Sequence, residues 1–221
     1  MEKRLFIFVE GADDIRFFGR LVKPLLAPRY RSVELIAYAS MKREKVSRFI
    51  RSLTSLGHEY IFVGDIDLEP SVESKKYLLT GRYQELAGDH VVVVIREIES
   101  WYLAGLDRDA ESRVGVRHLD LTNTVTKEDF VKMIPRRFVS KVDFMFEILK
   151  FFSLDTAVEK NRSFRFFVRK YRVLDEAAVY QDPAPASPPG KGGEIRDQGD
   201  HPAPPAQETP SPPGERPYRN V

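Results

Sequence analysis

The sequence predicts an α/β protein with a four-stranded, mostly parallel sheet flanked by helices, followed by a helical element and a disordered tail. Short apolar runs alternate with amphipathic stretches over residues 1–106. The runs are continuous, which is typical of strands buried on both faces of a parallel sheet. The C-terminal part is rich in Pro and Gly and poor in large apolar residues. A chain of that composition does not bury enough apolar surface to fold.

Four strands are predicted, each from an uninterrupted apolar run. They span residues 5–9, 33–38, 60–63 and 90–95. Apolar residues recur every three or four positions over 13–26 and 42–56, which predicts a helix after each of the first two strands. A helix or loop over 77–86 precedes the fourth strand. The alternation of strands and helices favours parallel pairing.

Composition divides the chain into three predicted regions. Residues 1–106 form the α/β domain, residues 107–182 a helical accessory region, and residues 183–221 a Pro-rich disordered tail. Within the second region, helices are predicted at 126–133, 142–152 and 164–174. The first of these begins with a cap-like Thr and is closed by a Pro.

The amino-acid composition and the lengths of the apolar runs exclude several classes of protein. No cysteine is present, which excludes a disulfide framework, a thiolate zinc site and a catalytic cysteine. The apolar run at 5–9 is too short for an export signal, and no run approaches the roughly 18 apolar residues of a membrane span. The net charge of +2 does not by itself indicate a nucleic-acid partner. We therefore expect a cytoplasmic protein with no membrane partner.

Carboxylates follow three of the four predicted strands. Because ligands bind at the carboxyl ends of parallel strands, these side chains are expected at one edge of the sheet. Like charges so placed repel unless a cation compensates them, and oxygen ligands without His or Cys favour Mg²⁺ or Mn²⁺ over zinc. In chain order the acids are Glu10 and Asp14 after the first strand, Asp65, Asp67 and Glu69 after the third, and Glu97 and Glu99 after the fourth.

These acids also have ordinary structural explanations. An isolated Asp-x-Asp is common in loops, and a Gly after a strand is usually a turn. Asp13 or Asp14 can cap the first helix, with Asp13 the preferred cap. Glu97 and Glu99 can form a solvated first helical turn. The combination of three acidic strand ends favours the metal site.

Two motifs carry a resemblance to a known family. Residues 8–14 read Phe-Val-Glu-Gly-Ala-Asp-Asp, and residues 62–67 read Phe-Val-Gly-Asp-Ile-Asp. They resemble the TOPRIM domain of topoisomerases, primases and the overcoming-lysogenisation-defect (OLD) nucleases, with Glu-Gly after the first strand and Asp-x-Asp after the third. Residues 95–103 resemble an Ile-Glu-x-Trp segment of small TOPRIM-like proteins in the OLD-related group. The resemblance implies a TOPRIM-like (Rossmann-like) sheet, Mg²⁺ dependence, and cleavage or formation of a nucleic-acid phosphodiester.

The resemblance implies roles for individual residues. The family's catalytic acids correspond to Glu10, Asp65 and Asp67. The expected metal ligands are Glu10, Asp14, Asp65, Asp67 and Glu99. Glu69 stands where many members have a third Asp, and its role and that of Glu97 stay open.

Phosphate contacts are expected at two further places. Gly11 matches the family's glycine and lets the backbone approach a phosphate closely. Lys42 and Arg43 follow the second strand, and they either neutralise charge on the scissile phosphate or begin a helix in solvent.

A nuclease is favoured by elimination. A topoisomerase needs a transesterifying Tyr on a separate domain, and a primase needs zinc-binding elements that a chain without Cys lacks. Two Mg²⁺ ions about 4 Å apart would activate a water and stabilise the leaving oxygen. The partner is nucleic acid, DNA in preference to RNA. The chain has no Gly-x-x-x-x-Gly-Lys-Ser/Thr loop of its own. Many proteins of the resembled group work beside an ATPase, so the resemblance implies that an ATPase would be a partner subunit.

Basic residues interleaved with Phe in the helical region predict a nucleic-acid face, because Lys and Arg track the backbone and aromatics stack on bases. The cations assigned to this face are Arg136, Arg137, Lys141 and Arg169. Phenylalanines at helical spacing are predicted to pack in the core. These are Phe144, Phe151, Phe164 and Phe167.

Other classes use strand-end carboxylates and remain alternatives. A haloacid-dehalogenase-type phosphatase places Asp-x-Asp after its first strand, and a phospho-receiver needs a Lys after a fifth strand. A glycosyltransferase needs a larger nucleotide-sugar domain. A non-catalytic TOPRIM-like module that binds nucleic acid or a partner protein is the remaining alternative.

Overall fold

Four parallel strands form the sheet at the centre of residues 3–174, the part of the chain that the computed structural model describes. The strand order is β2-β1-β3-β4, and every neighbouring pair is parallel. The prediction of a four-stranded α/β sheet is confirmed, with the sheet wholly parallel. The strands are β1 (Leu5–Val9), β2 (Val33–Ala37), β3 (Glu59–Asp65) and β4 (Val91–Val94).

One face of the sheet is covered by two helices that follow β2 and β3. They are α3 (Arg43–Ser55) and α4 (Val72–Arg82). Side chains alternate between the faces of a strand, so β1 turns Phe6 and Phe8 to this side. There they pack with Val46 and Ile50 of α3 and Leu79 of α4.

The other face carries the remaining helices. The first is α1 (Ala12–Phe17), which continues through a π-helical turn at Phe18–Val22 into α2 (Lys23–Leu26). The later helices are α5 (Ile98–Ala104), α6 (Arg108–Val114), α7 (Lys127–Lys132), α8 (Lys141–Lys150), α9 (Leu154–Lys160) and α10 (Arg162–Lys170).

The C-terminal helices share a core with the sheet. Ile7 and Val9 of β1 lie in the same buried cluster as Trp101 of α5 and residues of α6 to α10. The core prediction for Phe is confirmed: Phe144, Phe164 and Phe167 are fully buried, and Phe151 packs against the cluster. The predicted boundary at residue 106 falls between α5 and α6, inside this cluster. Residues 175–182 and the predicted tail at 183–221 lie outside the described residues.

Residues 12–26 are helical, as predicted for 13–26, and contain a π-helical turn just before Pro24, whose missing N–H removes one helical hydrogen bond. Three helices of seven residues, α5, α6 and α9, were not predicted individually. All seven residues of α5 are buried, so it lacks the polar face from which an amphipathic helix is recognised. None of the helices within residues 3–174 has both the length and the apolar content needed to cross a membrane.

Candidate metal centre

The acidic edge of the sheet begins where β1 and β3 end side by side. Glu10 directly follows β1, and Asp65 is the last residue of β3. The two strands are neighbours, and the side-chain Oε1 of Glu10 accepts a hydrogen bond of 3.1 Å from the backbone N–H of Asp65. The sheet therefore joins two predicted catalytic acids that are 55 positions apart in the chain.

Tyr38 and Gly64 hold Glu10 in place. The Tyr38 hydroxyl donates to Glu10 Oε1 at 3.1 Å, and burial together with the charge of Glu10 raises the pKa of Tyr38, so the hydroxyl keeps its proton. A Cβ atom at position 64 would lie 3.2 Å from the Tyr38 hydroxyl and 3.5 Å from Glu10 Oε1. Sequence reasoning missed both residues. The available signal was a Gly inside a buried strand, which often marks a close approach.

Replacing Gly64 with Ala is expected to destabilise the protein by about 1–3 kcal/mol, the usual cost of overpacking. The added methyl group would press on Tyr38 and Glu10, so the affinity of the predicted Mg²⁺ site should fall as well. Urea unfolding and calorimetric titration with Mg²⁺ measure the two effects. Gly81→Ala in α4 is the matched control, because nothing lies within 4 Å of a Cβ there, and it should stabilise by roughly 0.5–1 kcal/mol. Equal changes in the free energy of unfolding for the two variants would contradict the close packing assigned to Gly64.

Asp14 points into the same edge from the first turn of α1. Its Oδ2 accepts a 3.1 Å hydrogen bond from the N–H of Gly11, while its buried Oδ1 has no hydrogen-bond partner. The capping carboxylate is therefore Asp14 and not Asp13, the preferred cap from the sequence. Burial, and then the charges of Glu10 and Glu99, raise the pKa of Asp14 to about 7, against the lowering effect of the Gly11 hydrogen bond.

Asp65 is the most perturbed carboxyl of the edge. Its Oδ1 is buried and has no hydrogen-bond partner. Burial raises the pKa of Asp65 to about 9, with contributions from four neighbouring carboxylates. In decreasing order these are Glu10, Asp14, Glu99 and Asp67. The five predicted ligands thus form one electrostatically coupled cluster.

Asp67 and Glu69 lie in the loop after β3. Asp67 has a left-handed backbone, with φ of 51°, and its exposed carboxylate pairs with the buried ammonium of Lys75 in α4. Asp is among the few residues that tolerate this conformation. Glu69 accepts a hydrogen bond from the Ser74 hydroxyl at the start of α4. Glu69 is therefore engaged locally.

Glu99 is buried in α5 and has a cation as its partner. The Lys141 ammonium lies 2.5 Å from Glu99 Oε1 and 2.8 Å from Asp13 Oδ2. Burial opposes ionisation of Asp13, but hydrogen bonds from Lys141 and Arg16 hold the pKa of Asp13 below its ordinary value. Lys141, predicted to bind nucleic acid, thus lies among the acids. Sequence reasoning did not foresee this contact.

Comparison with known proteins gives matches among solved structures alone. No protein-family model and no curated protein matches the sequence. The C-terminal region of the Burkholderia pseudomallei OLD protein superposes with a TM-score of 0.44 at 16% identity, covering 79% of this chain and 100% of the other. The C-terminal region of the Xanthomonas campestris pv. campestris OLD protein gives 0.43 at 15% identity, covering 77% and 94%. Both regions belong to OLD proteins, the group that the two motifs of this chain resemble.

The donor set of the edge suits a hard divalent cation. Within residues 3–174, no three carboxylate or imidazole side chains are arranged to hold an ion together. Mg²⁺ commonly uses one or two protein carboxylates and takes its other ligands from water and phosphate. The two buried oxygens without partners, Asp14 Oδ1 and Asp65 Oδ1, are acceptors that a cation or a proton would satisfy. The residues present therefore fit such an ion.

The remaining predicted site residues lie outside this cluster of acids. Glu97 accepts a hydrogen bond from the backbone N–H of Lys127 at the start of α7. Lys42 and Arg43 are exposed at the start of α3. Arg137 donates to the carbonyls of Arg113 and Val114, at 2.5 and 2.8 Å. The other two cations assigned to nucleic acid are Arg136, which is exposed, and Arg169, which lines a groove on α10.

Proposed function

We propose that this protein is a Mg²⁺- or Mn²⁺-dependent nuclease that cleaves phosphodiester bonds. One observation carries the proposal: Asp14 and Asp65 each bury a carboxylate oxygen without a partner, beside Glu10, where parallel strands end. Such an arrangement is costly without a compensating cation. The TOPRIM-like motifs around these residues support the same conclusion.

The metal is proposed to bind two of the three carboxylates Glu10, Asp14 and Asp65 and to take its other ligands from water and phosphate. When bound, the ion would supply an activated water and offset charge on the phosphate. Glu10 is oriented for this role by the hydrogen bonds from Tyr38 and from the Asp65 backbone. Asp65 has its strand-end position set by pairing with β4, opposite Val94.

Two lysines balance the outer acids of the site. Lys75 neutralises Asp67 and Lys141 neutralises Glu99. These ammoniums add positive charge to an edge that a polyanionic substrate must approach, because phosphates and carboxylates repel one another. Lys141 keeps 22% of its side chain exposed, so it can contact a phosphate as well. Gly11, whose N–H donates to Asp14, carries no side chain that would keep a phosphate from the backbone at the same edge.

The proposed substrate is DNA in preference to RNA, and the proposed partner is an ATPase subunit. Both proposals rest on the motif resemblance to OLD nucleases. Lys42 and Arg43, exposed after β2, are proposed phosphate contacts. The basic side chains of Arg136, Arg137 and Arg169 are proposed contacts to the nucleic-acid backbone.

Cleavage assays test the proposal directly. Plasmid, single-stranded DNA and RNA are incubated with Mg²⁺, Mn²⁺ or EDTA, and products are separated on gels. We expect cleavage with either metal, no cleavage in EDTA, and loss of activity in Glu10→Ala. Glu147→Gln is the control, because Glu147 pairs with Lys150 on the exposed side of α8. Cleavage that survives both EDTA and Glu10→Ala would refute the mechanism.

A non-catalytic binding module is the second candidate. One observation favours it: Asp67 and Glu99 already have lysine partners, which reduces the charge left to bind metal. Metal binding by calorimetry that Glu10→Ala abolishes, without cleavage of any substrate, would support this candidate over the nuclease.

A further inference from the structure

A basic groove of about 470 Å³ runs along the outer side of α10. No carboxylate of residues 3–174 lines it. Its walls consist of four cations and one aromatic ring, from Arg162, Arg165, Phe166, Arg169 and Lys170. Charge of a single sign around an open groove attracts an anionic ligand.

Phe166 is the unusual member of this groove. Its neighbours Phe164 and Phe167 are fully buried and serve the core, whereas Phe166 is 47% exposed. Two ammoniums flank the ring: Lys76 Nζ lies 5.8 Å and Lys170 Nζ 5.4 Å from its centroid. Packing therefore explains the first two rings but leaves a face of Phe166 open beside two cations.

Two cations of the groove, Arg165 and Lys170, donate to backbone carbonyls. The Arg165 guanidinium donates to the neutral carbonyls of Val158 and Glu159, at 2.7 and 2.9 Å. Lys170 donates to the carbonyl of Asp89. Partial burial, and then the charge of Lys76, lower the pKa of Lys170 against the raising effect of Asp89, so the two neighbouring ammoniums repel one another. An anion in the groove would relieve this repulsion.

Helix α10 begins beside the carboxyl end of β4. The Ser163 hydroxyl accepts a hydrogen bond of 3.2 Å from the N–H of Ile95, which directly follows β4. At the other end of α10, Lys170 reaches Asp89, just before β4. Helix α10 thus runs back along β4 from the edge that carries the acids. The end of the groove that holds Arg162 therefore lies at the end of α10 nearest this edge.

We propose that this groove binds single-stranded nucleic acid, with a base stacked on Phe166 and phosphates against Lys76, Lys170 and Arg162. The inference rests on the proposed function and specifies the form of its substrate. Exposed aromatics between cations bind single strands because every base has a face that can stack. In a duplex those faces are covered by neighbouring bases, so a single strand fits the open ring.

Fluorescence anisotropy with a labelled oligothymidine in EDTA tests the inference, since binding is then measured without cleavage. Phe166→Ala is expected to weaken binding by about tenfold, a typical loss for one stacked base. Phe166→Trp, which keeps an aromatic ring for stacking, should bind the oligothymidine as the wild type does. Lys170→Gln should also weaken binding and reduce its salt dependence. The same probe with abasic positions should bind the wild type and Phe166→Ala equally.

Phe146→Ala is the matched control. Phe146 is the other exposed phenylalanine of the described residues, 38% exposed and flanked by Arg16 and Arg20 at 5.5 and 5.4 Å. The charge of Arg16 is paired with Asp13, so Phe146→Ala should bind as the wild type does. Equal binding by wild type and Phe166→Ala, equal losses in the two alanine variants, or tighter binding of duplex DNA would each overturn the inference.

The outcome of this binding test is independent of the outcome of the cleavage assay. If the groove does not bind single strands, metal-dependent cleavage that requires Glu10 stands unaffected. If cleavage is absent, the dependence of binding on Phe166 still tests whether the groove binds single strands.

Discussion

Replacing Asp65 with Asn is expected to lower the proposed metal-dependent cleavage by more than about a hundredfold, since replacing even the outer partners of metal ligands commonly costs 10- to 100-fold in activity. Asn keeps the shape of the side chain but removes its charge. The Mg²⁺-dependent increase in melting temperature should disappear with the activity. Gel assays of cleavage and thermal unfolding with and without Mg²⁺ measure the two losses.

The same substitution should stabilise the metal-free protein. Burial and neighbouring carboxylates raise the pKa of Asp65 from 3.8 to about 9, so between these values the folded state binds a proton that the unfolded state has released. The free energy of unfolding of the metal-free wild type should therefore fall as pH rises through this window. Asp65→Asn should flatten that fall and raise stability near pH 8 by more than about 1 kcal/mol.

Asp143→Asn serves as the control for the charge change. The Asp143 carboxylate accepts a hydrogen bond from the backbone N–H of Val139, and the Asp143 N–H donates to the Ser140 hydroxyl oxygen; both bonds lie at the start of α8, away from the strand edge. It should change neither the Mg²⁺ response nor the slope of stability against pH near neutrality. An Asp65→Asn protein that keeps the Mg²⁺ response of the wild type would remove Asp65 from the proposed site.

Replacing Lys141 with Met is expected to lower the free energy of unfolding by roughly 3 kcal/mol, because loss of one partner strands a buried charge. Lys141 is the ion-pair partner of Glu99, whose side chain is only 4% exposed. The pair spans 42 positions and joins α5 to α8. Urea unfolding in EDTA measures the loss without interference from metal.

Two further variants show whether the stranded charge is the cause. Adding Glu99→Gln to Lys141→Met should recover part of the stability, because the buried charge is then gone. Lys150→Met, at an exposed position of the same helix, should change stability by less than about 0.5 kcal/mol. Similar losses in Lys141→Met and Lys150→Met would contradict the role assigned to the buried pair.

The sheet and its acids were predictable because their signals are local. Each strand is a short apolar run, and the carboxylates directly follow the runs in the chain. Parallel pairing then places residues after β1 and β3 at one edge, as the contact between Glu10 and Asp65 shows. The roles of those acids in metal binding stay a prediction.

Several features of the site were not predictable from local patterns. Tyr38 contacts Glu10 from the end of β2, and Gly64 leaves the space that both need. The exposure of Phe166 beside buried Phe164 and Phe167 has no counterpart in composition or spacing. Each depends on which elements pack against one another.

The sequence by itself determined the four strands, their parallel class and the acids at their ends, since periodicity and chain order carry that information. The tertiary structure decided which of those acids lack partners and which are paired. Lys141 meets Asp13 across 128 positions and Glu99 across 42, and Lys75 takes Asp67. The physical reason is that a buried charge is balanced by whatever group the packing brings within a few ångströms, and separation along the chain does not encode that distance.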